Sequence, residues 1–191
     1  MPTKLDILYS RNLHALAIQF AEKAHLPSQY LNDIIQKYGD YLFSRGEYDP
    51  ALHQYLRAIE TINPSEIIRK FLDVQRISNL VSILEELHSH HLANADHTTL
   101  LLNCYARLKK VEQLERFIKS GSGDVEFDVD TAIQVCRQGR YFEQAAYLAS
   151  KYNEHDTFIS ILVENLKQYS RALKYIKQLP PSEVFSQVNF D

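Results

Sequence analysis

Tryptophan is absent from this chain, methionine occurs once, and glycine and proline are scarce, with 5 and 6 residues among 191. With so few helix breakers, most of the backbone is free to be helical. No apolar run approaches the roughly 18–20 residues that span a bilayer, which excludes direct membrane insertion by a helix. The opening MPTKLDILYSRN lacks an apolar stretch followed by small residues, so it does not read as a secretory signal. A basic excess is missing too: 21 Lys and Arg stand against 24 Asp and Glu, a formal net charge of -3. Scattered cations of this kind argue against nucleic acid or an anionic membrane surface as a direct partner. Cysteine is sparse, and Cys104 and Cys136 lie in apolar helical stretches. Both are expected to be buried as small hydrophobes in reducing, cytosolic surroundings.

What the chain has in quantity is apolar residues, 45% of the total, at helical spacing. The run Tyr38–Pro64 reads as two helices around a turn at Gly46. Tyr48, Ala51, Leu52, Tyr55, Ala58, Ile59 and Ile62 then recur at the three- and four-residue steps of one helical face. Gly39, Ala51 and Ala58 are small enough to let a neighbouring helix approach closely. A lone hairpin cannot bury such a face, so similar units must stack on it.

The same grammar repeats along the chain. A large apolar residue follows each turn, and Leu or Ala stands three positions later: Leu13/Leu16, Tyr48/Ala51, Ile77/Leu80, Val111/Leu114, Phe142/Ala145 and Tyr169/Ala172. Successive pairs are roughly 30 residues apart, the loose period of a helix-hairpin array. Boundary signals agree with this division. Asn63-Pro64-Ser65-Glu66 offers a cap, a proline at the first helical position and a nearby carboxylate. Asn94 or Asp96 can cap the helix carrying Leu101 and Tyr105, and Asn153 the helix carrying Phe158 and Ile161. Gly139 resembles Gly46 as a helix stop, and SGSGDVEFD (Ser120–Asp128) reads as a loop. No strand-like alternation of useful length is present, and about eleven helices are expected.

The groups that could carry chemistry have simpler readings. His88, His90 and His91, with His97 nearby, form the best metal candidate, yet no cysteine is close, and imidazolium suits a helix C-terminus. Glu85-Glu86 forms no recognisable acid/base pair. Asp124, Glu126, Asp128 and Asp130 lack the glycine and closing glutamate of a calcium loop and read as charge feeding a helix start. Gly121-Ser122-Gly123 follows a helix and precedes no Lys-Ser/Thr pair, so it is not a phosphate loop. The rings of Tyr41, Tyr48, Tyr55, Tyr105, Tyr141, Tyr147 and Tyr175 sit among apolar residues and are expected to pack between helices. No catalytic, cofactor-binding or metal residue is assigned, and the partner-facing residues stay open.

The hairpin Gly39–Ala58 resembles the tetratricopeptide unit, with Gly39, Gly46, Tyr48, Ala51, Tyr55 and Ala58 on its small and aromatic positions. LKKVEQLERFI and QGRYFEQAAYLA are closer to the clathrin-heavy-chain type of repeat. Longer strings are more specific: YGDYLFSRGEYDPALHQYLRAI, INPSEIIRKFLDVQRISNLVSILEELH and LANADHTTLLLNCYARLKKVEQLERFI resemble the middle of the vacuolar protein sorting-associated protein eleven family. The resemblance runs from about Lys4 to Pro181. It implies an all-α fold, an α-solenoid of stacked helical hairpins. Residues 1–191 are expected to form a single segment of about five to six hairpins, the last truncated after Ser182. Full-length members of that family carry a β-propeller, a long α-solenoid and a RING-type zinc domain. This chain lacks the RING spacing of Cys and His, so neither zinc nor ubiquitin-ligase activity carries over.

The resemblance further implies a non-enzymatic scaffold of the HOPS and CORVET tethering complexes, with no cofactor. It would be cytoplasmic and peripheral on late endosome and lysosome or vacuole membranes. Its partners would be other class C vacuolar sorting subunits, with Rab GTPases and SNAREs reached indirectly. The competing reading is a tetratricopeptide-like co-chaperone module that clamps an acidic peptide with Gln36, Lys37, Arg45, Arg69, Lys70, Asn103 and Arg107.

Overall fold

The computed structural model describes residues 4–120 and 128–179. Among them are twelve helices and no strand, divided into two compact units, Met1–Ala93 and Asn94–Asp191. Of the glycine-containing loop expected over Ser120–Asp128, residues 121–127 lie outside the described residues, as does the helix expected after Pro180, while Ser120 ends a helix and Asp128 holds the N-cap position of the next.

The first unit is three helical hairpins: α1 (Lys4–Ser10) with α2 (His14–Lys23), α3 (Ser28–Ser44) with α4 (Tyr48–Arg57), and α5 (Pro64–Asp73) with α6 (Ile77–Ser89). Within it, α2 packs on α3 and α4 packs on α6, so each hairpin rests on the next. The second unit repeats the plan with α7 (Ala95–Arg107) and α8 (Val111–Ser120), α9 (Val129–Gln138) and α10 (Phe142–Lys151), then α11 (His155–Ser160) and α12 (Tyr169–Gln178). A π-helical turn, Ile161–Asn165, continues α11. Here α7 packs on α9, and α8 and the end of α11 pack on α10.

One turn joins the two helices of all six hairpins. Its middle residue is left-handed: Asn12, Gly46, Gln75, Lys109, Arg140 and Lys167, with φ between 55° and 78°. In five of them the N–H three residues past the helix donates to the carbonyl five residues back. The pairs are Leu13 to Leu8, Glu47 to Leu42, Arg76 to Phe71, Lys110 to Tyr105 and Tyr141 to Cys136, at 2.8–3.0 Å. This is the six-to-one bond of a Schellman cap, which satisfies carbonyls that the helix end would leave unpaired. In the sixth turn the π-helical residues widen the ring, and Gln168 N–H reaches Leu162 O at 2.8 Å.

The turn fixes the register of the helix that follows. The fourth residue of each later second helix is buried: Ala51 0% exposed, Leu80 1%, Leu114 0%, Ala145 0% and Ala172 2%. The first hairpin departs from the expectation. Leu16 is 49% exposed, and Ala17, at 0%, takes the seam position. Leu13 is the N-cap and His14 the first helical residue, because the left-handed residue is Asn12. The polar His14 stands where the other hairpins carry Tyr, Ile, Val or Phe, which hid the register.

Three further boundaries differ from the sequence reading. The apolar face of α4 runs on through Ala58, Ile59 and Ile62, all buried, but the helix ends at Arg57. Tighter bonds take over there: Ala58 N–H to Tyr55 O at 3.1 Å and Thr61 N–H to Ala58 O at 3.0 Å. Asn153 is left-handed and ends α10, while Glu154 holds the N-cap position of α11 without a side-chain cap. Gly139 has an ordinary φ of −74°, and the left-handed residue is Arg140. Glycine is needed at 139 for another reason, since a Cβ there would lie 2.6 Å from the Tyr141 ring.

The caps at Asn63 and Asn94 form as expected. Asn63 accepts from Ser65 N–H at 3.1 Å, with Pro64 opening the helix. Asn94 accepts from His97 N–H at 2.9 Å, and His97 Nδ1 accepts from Asn94 N–H at 3.3 Å, a reciprocal capping box. Asp96 is not the cap.

Candidate functional site

The most tightly determined part of the first unit is the contact of α3, α4 and α5. Gly39 on α3 lets the Tyr55 ring of α4 lie against its backbone, where a Cβ would meet the ring at 2.8 Å. Tyr55 is fully buried, and its hydroxyl donates to Asp40 Oδ1 at 2.7 Å. Lys70 of α5 completes the group: its ammonium donates to Asp40, lies 3.4 Å from Tyr55 Oη, and sits 5.4 Å from the Tyr55 ring centroid. Burial, then the bond to anionic Asp40, push the Tyr55 phenol well above its ordinary pKa, so it stays a donor at any physiological pH. Phe71 closes the cluster edge-on to Tyr55 and Phe43. Such a set positions three helices, with the Asp40 and Lys70 side chains part-exposed at its rim.

Four of the seven side chains proposed as a peptide clamp have partners of their own. Lys37 stacks on the Tyr9 ring at 4.8 Å. Arg45 donates to Tyr41 Oη at 3.0 Å and pairs with Glu47 at 3.0 Å. Lys70 is held by Asp40, and Asn103 donates to Thr99 O at 3.0 Å. Gln36 is half-buried, while Arg69 and Arg107 are exposed.

The histidines are also placed individually. His90, just past the end of α6, lies 3.1 Å from Glu60 and 3.2 Å from Glu86, His91 is the left-handed residue behind it, and His97 closes the α7 capping box. Among the described residues, no three His, Cys, Asp or Glu side chains are grouped as metal ligands. Asp128 accepts from Thr131 at the start of α9, which holds its carboxyl below the usual range. Cys104 and Cys136 are buried free thiols, and burial pushes Cys136 up to about 12, so neither is a poised nucleophile.

The second unit holds a cleft of about 290 Å³ between α8, α10 and α12. Its apolar floor is Ile118 and Ala146, with Tyr147 as one wall. Arg171 pairs with Glu143 at 3.2 Å and Lys119 pairs with Glu115, so the charged rim is neutralised internally. The sequence reading expected Tyr147 to pack between helices, but it is 39% exposed and faces this cleft. Tyr55 and Tyr105 do pack internally, and Tyr141 Oη donates to Ala106 O at 3.2 Å. One signal could have revealed the cleft. The residue after the seam position is Ile18, Val81 and Ala146 in three hairpins, all buried, but Glu115 in α8.

Hairpins that repeat one kind of turn and bury the same position of each second helix define a helical-repeat protein of the α-solenoid class. The family model of the PEP5/VPS11 clathrin repeat matches residues 43–190. The chain belongs to that family. It is 50% identical over 179 residues to the vacuolar protein sorting-associated protein 11 homologs of Mus musculus and Homo sapiens, covering 93% of this chain and 19% of each relative. It is 45% identical over 185 residues to the Arabidopsis thaliana homolog, covering 96% of this chain and 20% of that protein. The chain therefore spans about a fifth of the length of these relatives. No helix among the described residues is long and apolar enough to cross a membrane.

Proposed function

We propose that this chain is a non-enzymatic scaffold segment in vacuolar protein sorting, part of a membrane-tethering assembly of the HOPS and CORVET type. The observation that carries this reading is the repeated seam of Ala51, Leu80, Leu114, Ala145 and Ala172 in a chain half identical to vacuolar sorting proteins. Each hairpin of such an array touches mainly its neighbours, so the array sets distances between the modules it joins. Residues 1–191 act as one solenoid segment. Other class C vacuolar sorting subunits are the direct partners, and Rab GTPases and SNAREs are reached through them. The site of action is the cytoplasmic face of late endosome and lysosome or vacuole membranes, where the chain is peripheral. It uses no cofactor.

Affinity capture with the 191-residue chain from cell extract tests this reading. Recovery of other class C subunits, lost when Ala51→Arg disrupts the seam, is the expected result. Saturable binding of acidic C-terminal peptides, with chaperones alone recovered, would replace the scaffold with the peptide-clamp reading.

A further inference from the structure

His14 is the most buried of the residues that open second helices, 7% exposed, and it is enclosed by aromatic rings from both neighbouring helices. Tyr38 of α3 stacks on it at 5.7 Å and 18°, Tyr41 of α3 lies 4.7 Å away, and Tyr9 of α1 lies 5.8 Å away. Its Nδ1 is buried and has no hydrogen-bond partner among the described residues. A neutral imidazole can leave that nitrogen as an unprotonated acceptor, at the cost of one weak unmet bond. An imidazolium must carry a proton there with nothing to receive it, which is the more expensive omission.

Two of these rings carry a charged group of their own. Lys37 sits over Tyr9 at 4.8 Å and Arg45 over Tyr41 at 5.6 Å, so two of the three rings already hold a cation. Asp40, also on α3, is turned to Tyr55 and Lys70. Cation–π attraction to Tyr38 favours the charged form, but burial of the ring opposes it. Burial holds the imidazole below its ordinary value of 6.5.

We propose that His14 is a proton-sensitive latch: the α1–α2 hairpin stays closed on α3 while the imidazole is neutral and loosens when it takes up a proton. The unfolded hairpin binds the proton more readily than the folded one. Stability of this hairpin is therefore complete above about pH 6.5 and is lost as pH falls below it. Loosening frees Ala17, Ile18 and Ala21, the α2 residues now buried against the next hairpin.

Two measurements on the 191-residue chain test the latch. Histidine ring NMR, with His14 assigned by its disappearance in His14→Phe, should give a midpoint below about 6.5 for His14. Amide exchange followed by mass spectrometry should show the opening constant of α1–α2 rising by about threefold to tenfold between about pH 7.5 and about pH 5.5, after correction for intrinsic exchange. The α5–α6 hairpin should show no such rise. In His14→Phe, which keeps a ring between the tyrosines, the rise should vanish. A midpoint at or above about 6.5, or an equal rise in His14→Phe, overturns the proposal. Should His14→Phe fail to fold, His14→Gln serves both as the assignment and as the variant in which the rise must vanish.

Discussion

At the residue scale, two glycines separate steric from conformational demand. Gly39 has an ordinary helical backbone, but a Cβ there meets the fully buried Tyr55 ring at 2.8 Å, with Asp40 and Lys70 fixing the ring's hydroxyl end. Gly46 has a φ of 78° and nothing within 4 Å of a would-be Cβ. Gly39→Ala should therefore lose about 1–3 kcal/mol through overpacking. Gly46→Ala should lose about 1 kcal/mol through backbone conformation alone. Urea denaturation compares them, and a Gly39→Ala variant as stable as the unsubstituted chain would remove the ring-on-backbone contact from the account. A third residue gives a pH signature. The α7 capping box needs an unprotonated His97 Nδ1, and burial lowers the His97 pKa despite the opposing charge of Asp96. The unfolded chain protonates His97 first, so the cap's contribution holds above about pH 6.5 and fades as pH falls below it. Asn94→Ala should cost about 1 kcal/mol at neutral pH, and less in acid, in denaturation of the second unit.

At the element scale, the structure turns on a left-handed turn used in every hairpin, a Schellman cap in five of the six, and its left-handed residue is glycine only at position 46. Non-glycine residues there carry a conformational penalty of about 1–2 kcal/mol, partly offset because glycine is floppier in the unfolded chain. Gln75→Gly and Lys109→Gly are each expected to raise stability by about 0.5 kcal/mol, read from denaturant midpoints; a loss at both positions would contradict the turn assignment. The same turn explains what the sequence disclosed. Helical faces with large apolar openers at Tyr48, Ile77, Val111, Phe142 and Tyr169 placed five second helices to the residue. The first was shifted by one because its opener is a histidine. Gly139 and Asn153 were misread because side-chain chemistry does not announce which residue takes a left-handed backbone in a chain poor in glycine. The π-helical turn at Ile161–Asn165 left no mark either, since one extra residue per turn hardly alters a short apolar pattern. Tyr147 was taken for a packing residue because spacing alone cannot tell a filled groove from an open one.

At the scale of the whole molecule, the account rests on the seam at the fourth residue of each second helix. Small or medium apolar residues there, Ala17, Ala51, Leu80, Leu114, Ala145 and Ala172, are 0–2% exposed in both units. Membership of the clathrin-repeat family and half identity to vacuolar sorting proteins fit a chain whose contacts run from hairpin to hairpin within each unit. The most direct test is a pair of arginine substitutions followed by urea denaturation monitored by circular dichroism. Ala51→Arg forces a charge into a closed interface and should lose about 3 kcal/mol or more, while Leu16→Arg, one position off the seam, should stay within about 0.5 kcal/mol of the unsubstituted chain. Equal stabilities for the two variants, or a larger loss from Leu16→Arg, would contradict the seam and the stacked-hairpin account built on it.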